Sequence, residues 1–352
     1  NGGFPENLPN HQASHFHQLP PVKARNGDFN DLIDENGQPI NPEWWQNRQV
    51  LLLNLFEDIQ PDIIVTESFP FARRKFKQEL IPLLEKAKSE HIPIVASIRD
   101  ILVDPKKPKK RQFAIDLITK FYEAVLIHGE KEITPLEASF PGTEAIADKL
   151  FYTGYVSDSF NDEAALKATQ PPISQVIISA GGGAVGEEIY LMAAKAKANC
   201  ASTNGIWRFL LGPNLPDAAK EKLSAFADVD KNIVLEDARP DFRDLLGNAD
   251  LSISQFGYNT AMDILATGIK SISIPYAEND ESEQTIRAEI FAKRNLTTPL
   301  NQKALTSTLL SDIIEEKLSQ AENNPPQGHD LFDLDGATKS AKYILSLVKE
   351  EQ

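Results

Sequence analysis

The sequence predicts an α/β protein built from two doubly wound, Rossmann-like parallel-sheet domains, and three observations predict it. The chain has 352 residues, more than one ordinary core serves and about right for two domains. Short β-branched runs alternate with longer amphipathic stretches, the pattern of βαβ units rather than hairpins. No short-period repeat interrupts that alternation.

In the first half the expected strands are "PDIIVT" (61–66), "IPIVASI" (92–98), "EAVLIH" (123–128) and "LFYTG" (150–154). Helical patterns separate them at 72–90 and 112–123. The segment 156–174 is polar and carries two prolines, the composition of a linker. A second series follows: "QVIIS" (175–179), "WRFLL" (207–211), "NIVLE" (232–236), "DLSIS" (250–254) and "SISIP" (271–275). The expected division is a first domain at 1–160, a linker at 161–174, a second domain at 175–335 and a closing helix within 336–352. The chain opens on Asn1, and "NGG" reads like a turn after a strand. The first domain is therefore expected to lack its first βα unit.

Bulk composition excludes several classes. The net charge of −15 divides into −4 over residues 1–155 and −11 beyond. That acidity argues against general nucleic-acid binding, which needs a cationic track along phosphates. Cys200 is the single cysteine, so no disulfide framework exists and a reducing, cytoplasmic setting is expected. No apolar run approaches the ~18–20 residues of a membrane span. The first residues, "NGGFPENLPN", lack the apolar stretch of a signal peptide.

Ligands of open α/β sheets collect beyond the C-terminal ends of strands. In the first half those ends read Glu67-Ser68, Arg99-Asp100, His128-Gly129 and Gly154-Tyr155. Polar residues mark the end of any strand, but acid, base, imidazole and glycine together suggest the rim of a cleft. In the second half, "SAGGGAVG" places Gly181, Gly182, Gly183 and Gly186 between a strand and a helix. Backbone amides there could approach a phosphate at a helix start. A dinucleotide site would also want an acid ending the next strand, yet "FLLGPN" supplies none.

The stretch "SQFGYNTAMD" (254–263) carries the strongest signal. Gly257 permits a sharp exit from the strand, and Asn259 or Thr260 can cap the helix. Thr260-x-x-Asp263 fits a capping box. The same geometry could present the amides of 258–260 to a diphosphate, with Asp263 accepting from two ribose hydroxyls. After the next strand and Pro275, Glu283-Gln284 suits sugar hydroxyls, while Arg287 and Glu289 are expected in surface pairs. Arg239 is expected either at a ligand or in a salt bridge with Asp241 or Asp237.

Together, Ser254, Gly257, Thr260 and Asp263, then Pro275 and Glu283-Gln284, resemble a motif of the GT-B glycosyltransferases. The branch is glycosyltransferase family 28, the MurG-like group containing the peptidoglycan N-acetylglucosaminyltransferase. Its motif runs Ser-x-x-Gly-x-x-Thr-x-x-Glu, then a proline loop and a Gln-Gln pair. The strings "ESFPFARRKFKQELIPLLE", "SIRDIL", "LIHGE" and "YTGYV" are similar to a "predicted glycosyltransferase" subgroup of that branch.

The resemblance implies GT-B architecture, two Rossmann-like domains facing a cleft. It also implies a donor site. Ser179, Gly181, Gly182 and Gly183 would face the diphosphate, and Gly257, Tyr258, Asn259 and Thr260 would bind phosphate. Asp263 would hold the ribose, Glu283 and Gln284 the donor sugar, and Arg239 would lie at the nucleobase. Asp263 stands where the family has Glu, and Glu283 where it has Gln, which leaves the donor sugar open.

The implied activity is inverting transfer of a hexose-type sugar from a nucleotide-diphosphate donor, UDP first, to an unknown acceptor. The main base is expected in the missing first unit, with His128, Glu67 and Asp100 as candidates among the residues present. Arg99, Gly129 and Tyr155 would form the acceptor-side rim. No Asp-x-Asp lies in a suitable loop, so neither a metal nor a further cofactor is expected. The basic run 104–112 is expected as a solvated loop, with anionic acceptor or lipid docking, and so peripheral membrane contact, as the alternative. A nucleotide-sugar hydrolase or epimerase, or a non-catalytic sugar-nucleotide-binding relative, remains an alternative function.

Overall fold

The computed structural model describes residues 15–25, 28–103, 107–157, 175–181, 186–200, 205–277, 282–320 and 332–348. Packing divides the chain into two compact units. One comprises 1–97, 112–125 and 344–352; the other comprises 98–111 and 126–343.

The first unit opens on an antiparallel hairpin of β1 (Lys23–Arg25) and β2 (Asp28–Ile33). Helix α1 (Pro42–Ile59) follows, with Asn41 accepting from the Trp44 amide at 2.8 Å and proline at its first position, both favourable at a helix start. Strand β3 (Ile64–Glu67) pairs in parallel with β4 (Ile94–Arg99), Ile64 opposite Ile94 and Glu67 opposite Ser97. Helix α2 (Lys77–Ser89) connects them. A buried ion pair joins α1 to α2: Arg48 Nε and Nη2 donate to Glu79 at 2.6 and 2.8 Å. The guanidinium also donates to the Pro20 carbonyl and lies 5.3 Å from the Trp44 ring.

The sheet continues through β5 (Ala124–His128) and β6 (Leu150–Tyr152), in the order β3-β4-β5-β6. These strands match the runs expected from the sequence to within a few residues. The basic run 104–112 differs. Residues 104–106 lie outside the described set, but Pro108 begins helix α3 (Pro108–Phe121). Proline at a first helical position loses no needed donor, so Pro108–Gln112 form the opening turns of a helix rather than a loop. The expected linker 161–174 lies outside the described residues.

The second unit carries a six-stranded parallel sheet, ordered β12-β11-β10-β7-β8-β9. Its elements in chain order are β7 (Gln175–Ser179), α4 (Glu187–Asn199), β8 (Ile206–Leu211), α5 (Asp217–Val229), β9 (Ile233–Asp237) and α6 (Phe242–Gly247). Then come β10 (Leu251–Ser254), α7 (Tyr258–Thr267), β11 (Ser271–Ser273), α8 (Glu283–Ala292), β12 (Thr298–Pro299), α9 (Ser307–Ser319) and α10 (Gly336–Leu347).

Alternation along β7 explains the layers. Val176 and Ile178 join a cluster with α4, α5 and α9 through Ile189, Leu223 and Leu310. Ile177 joins the other face, with Ile264, Leu265 and Phe291 of α7 and α8. A sheet covered on both faces needs such continuous apolar runs. The chain builds β8 and β9 on one side of β7, then returns to place β10 on the other. The break between β7 and β10 is therefore the topological switch point, where open α/β sheets bind ligands.

Removing one partner of the Arg48–Glu79 pair strands a buried charge. Glu79→Ala is expected to cost about 3–5 kcal/mol, read as a lower urea midpoint with an unchanged m-value.

Candidate functional site

Three strand ends meet at the switch point in register. Ser179 lies beside Ser254, and Ser254 beside Ser273, which sets a row of hydroxyls across β7, β10 and β11. The Ser254 and Ser273 hydroxyls are buried with no hydrogen-bond partner among the described residues. Beyond β7 the backbone turns at Gly181 with φ +66°, a region that favours glycine. Gly186 closes the same connection, where a Cβ would lie 2.3 Å from the Ala180 Cβ. Gly182 and Gly183 lie outside the described residues.

Beyond β10 the turn Gln255–Gly257 leads into α7. Gly257 is the N-cap, with φ −62° and no side-chain cap bond. Neither Asn259 nor Thr260 caps this helix, because both already lie inside it. The first amides of α7 therefore have no partner within the helix. A Cβ on Gly257 would meet nothing within 4 Å, so the space before these amides is open. Asn259 is exposed and Thr260 half-buried.

Asp263 lies farther along α7 and is no cap. Arg243 of α6 donates to its Oδ1 from Nε at 2.9 Å and from Nη2 at 2.6 Å. Arg239 forms an exposed ion pair with Asp241, through Nε at 2.9 Å and Nη2 at 2.7 Å. Its second acid is Glu236, at 3.0 Å, rather than Asp237.

Helix α8 grips the β10–α7 turn. Gln284 Oε1 accepts from the Phe256 amide at 3.2 Å and from the Tyr276 amide at 3.1 Å. Three residues on, Arg287 Nη1 donates to the Phe256 carbonyl at 3.0 Å. Arg287 is wholly buried, which corrects its expected surface pairing, whereas Glu289 is exposed. Arg287 Nε and Nη2 donate to the two oxygens of Asp100 at 3.0 and 2.7 Å, and Nη1 approaches Glu283 Oε1 at 3.4 Å. Asp100 and Glu283 hold the guanidinium pKa above its usual range, against the opposing effect of burial, the largest single influence. The signal for this role was the spacing: Gln284, Arg287 and Phe291 share one helical face.

The first-half strand ends sort differently. Glu67 belongs to the other unit, where it pairs with Arg73 at 2.6 Å and accepts from Ser68. Asp100, read as a possible base, is fully buried and committed to Arg287 and the Ile101 amide. Tyr155 is core rather than rim: it is fully buried, with its hydroxyl 3.2 Å from Thr134 and its ring against Phe291 and Phe332. Gly129 packs against Asp100 and Thr134, where a Cβ would lie 2.7 Å from the Thr134 hydroxyl. Arg99 is exposed, 5.6 Å from the ring of Tyr258. That ring is buried, and its hydroxyl accepts from the Val156 amide at 2.8 Å.

His128 Nδ1 lies 3.0 Å from the Thr153 hydroxyl, which donates to the Gly154 carbonyl at 2.7 Å. The hydroxyl has one hydrogen, so it accepts from Nδ1–H, and the lone pair resides on Nε2. Burial, then the nearby Arg99 charge, lower the imidazole pKa below its ordinary 6.5, with Asp100 opposing them.

Residues 177–342 match the family model of the glycosyltransferase family 28 C-terminal domain. Over 202 residues the chain is 26% identical to the UDP-N-acetylglucosamine--N-acetylmuramyl-(pentapeptide) pyrophosphoryl-undecaprenol N-acetylglucosamine transferase of Synechocystis sp.. That alignment covers 56% of this chain, which spans 54% of that relative's length. Among solved structures, MurG of Acinetobacter baumannii superposes with a TM-score of 0.58 at 14% identity, covering 95% of this chain and 86% of that one. A transferase from Siraitia grosvenorii in complex with UDP gives 0.57 at 12% identity, covering 87% and 86%. No helix among the described residues is long and apolar enough to cross a membrane.

Because its folded pKa is depressed, His128 contributes stability that is fully present above the unfolded value near 6.5 and lost as pH falls through the folded one. Its NMR titration midpoint is expected below 6.5, and Arg99→Met is expected to raise it.

Proposed function

We propose that this chain, whose residues 177–342 match the glycosyltransferase family 28 C-terminal domain and which has the GT-B fold, is a MurG-like glycosyltransferase that transfers a sugar from a nucleotide-diphosphate donor. UDP is the proposed nucleotide, by analogy with the UDP-sugar-dependent relative and the UDP-bound neighbour. The observation that carries this reading is Gly257. Its φ suits any residue and a Cβ there would touch nothing, so neither strain nor packing calls for glycine. What the missing side chain leaves, among the described residues, is open space before the first amides of α7, which have no partner within the helix. An anion fits there, drawn by the helix dipole and bound by backbone N–H groups.

In the proposed reaction an acceptor hydroxyl attacks the anomeric carbon from the face opposite the nucleotide. A new C–O bond forms as the bond to the diphosphate breaks, and the departing electron pair rests on the β-phosphate. The amides of Tyr258, Asn259 and Thr260 and the turn at Gly181 would stabilise that charge, so the proposal needs no metal. The hydroxyl proton passes to a base. Among the residues present, His128 suits the role, neutral at pH 7 with its lone pair on Nε2. Asp263 would hold the ribose at the cost of sharing Arg243, and Glu283 would face the sugar. The setting proposed is cytoplasmic, with peripheral membrane contact for a lipid-linked acceptor.

A substitution at Gly257 separates ligand binding from folding. Gly257→Asp supplies the absent cap and a negative charge at the helix start, which is expected to stabilise the fold by about 0.3–1 kcal/mol. The same carboxylate occupies the proposed phosphate cradle. UDP affinity by calorimetry is therefore expected to fall by about tenfold or more, the equivalent of about 1.4 kcal/mol. A variant that melts no lower yet binds UDP as tightly as the parent would refute the placement. With a donor bound, rapid release of free sugar without acceptor would favour hydrolysis over transfer.

A further inference from the structure

The backbone N–H and C=O of Phe256, which lie in two successive peptide groups, are both held by one helix. Gln284 accepts from the N–H, and Arg287 donates to the C=O at 3.0 Å. The next residue is Gly257, the N-cap of α7. Arg287 is in turn fixed by Asp100, whose two oxygens meet Nε and Nη2. The guanidinium is planar, so this fork sets the direction of Nη1. That nitrogen then contacts both Phe256 O and Glu283 Oε1.

Stability does not account for such an arrangement. An apolar residue of similar volume in place of a buried ion pair is often neutral or stabilising, because desolvating two charges costs several kcal/mol. What a buried fork supplies is geometry. Arg287 and Asp100 are both wholly buried, and the Tyr258 ring lies 5.8 Å from the guanidinium. The backbone entering α7 is thus clamped at the point where its direction decides where the first amides aim.

We propose that Arg287, fixed by Asp100 and assisted by Gln284, is a positioning residue that pre-aims the α7 amides at the donor's diphosphate. This rests on the nucleotide-sugar reading of the site. The clamp acts on the entry into α7, while Asp263, the proposed ribose contact farther along that helix, is anchored separately by Arg243. Its signature is therefore the advantage of UDP over UMP, since the two share every contact except those to the second phosphate. A misaligned amide group loses that advantage, whereas a general structural defect weakens both ligands together.

The test is calorimetric binding of UDP, UMP and TDP to the full chain, its Arg287→Lys variant and its Asp100→Asn/Arg287→Met double variant. The temperature is one at which circular dichroism reports each protein folded. Lysine keeps a charge beside Asp100 but cannot supply the fork. The UDP-to-UMP affinity ratio is expected to shrink by about tenfold in both variants, since small misplacements of preorganised groups are costly, with UMP affinity held. If the double variant fails to fold, Arg287→Lys decides alone. A parental ratio in a folded variant overturns the positioning role while the nucleotide-sugar reading stands. Binding of neither UDP nor TDP by the parent overturns both.

Discussion

All strands from β7 to β12 run in one direction, so each connection must cross back along a face of the sheet and every C-terminal strand end reaches the same edge. That constraint gathers Ser179, Gln255–Gly257 and Ile274–Tyr276 from three strands distant in sequence. It also fixes the sense of the helices, whose N-termini follow directly from those ends. A hairpin-built sheet would scatter the same residues over two edges. The switch between β7 and β10 then opens the one place where two connections leave to opposite sides.

On this edge the helix starts are left open. The helices that follow β7 through β11 all begin without a side-chain cap bond. Of the helices elsewhere, α1 is capped by Asn41 and α9 by Thr306, while α2 begins on Phe76 without a cap bond. Capping is worth about 0.5–2 kcal/mol per helix, so its omission along one edge forgoes several such contributions. At Asp241 a capping side chain is present but committed to Arg239 instead.

Much of the architecture was legible in the sequence because it is written locally. The strands β4, β5 and β7 to β11 are β-branched runs bounded by breakers, and the sequence places them to within a few residues. The turn at Gly181 and the exit at Gly257 announce themselves by composition. The edge strand β12 carries only two residues, too few for a periodic signal. Side-chain partners across long separations left no local trace. Asp100 and Arg287 are 187 residues apart, and each alone reads as an ordinary polar residue at an element's end. Tyr155 misleads for the same reason: a strand-end tyrosine looks like a rim, and only the ring of Phe291 and Phe332 around it makes it core. The charge of the basic run suggests a loop, and only the proline at 108 marks the start of α3.

The buried pair joins these two kinds of information. A local motif supplies amides suited to the proposed anion, but nothing in the motif itself sets the direction in which they aim. Direction comes from α8, which holds the N–H and the C=O of Phe256, in the two successive peptide groups before α7. The side chain doing so is anchored in turn by a carboxylate at the end of β4. The absent side chain at Gly257 and the held backbone at Phe256 are therefore complementary: in the proposed site the first would admit a ligand close to the backbone, and the second would spare the amides reorganisation when charge arrives. In the proposed reaction, a site assembled this way would stabilise the leaving group with backbone dipoles whose orientation was fixed during folding.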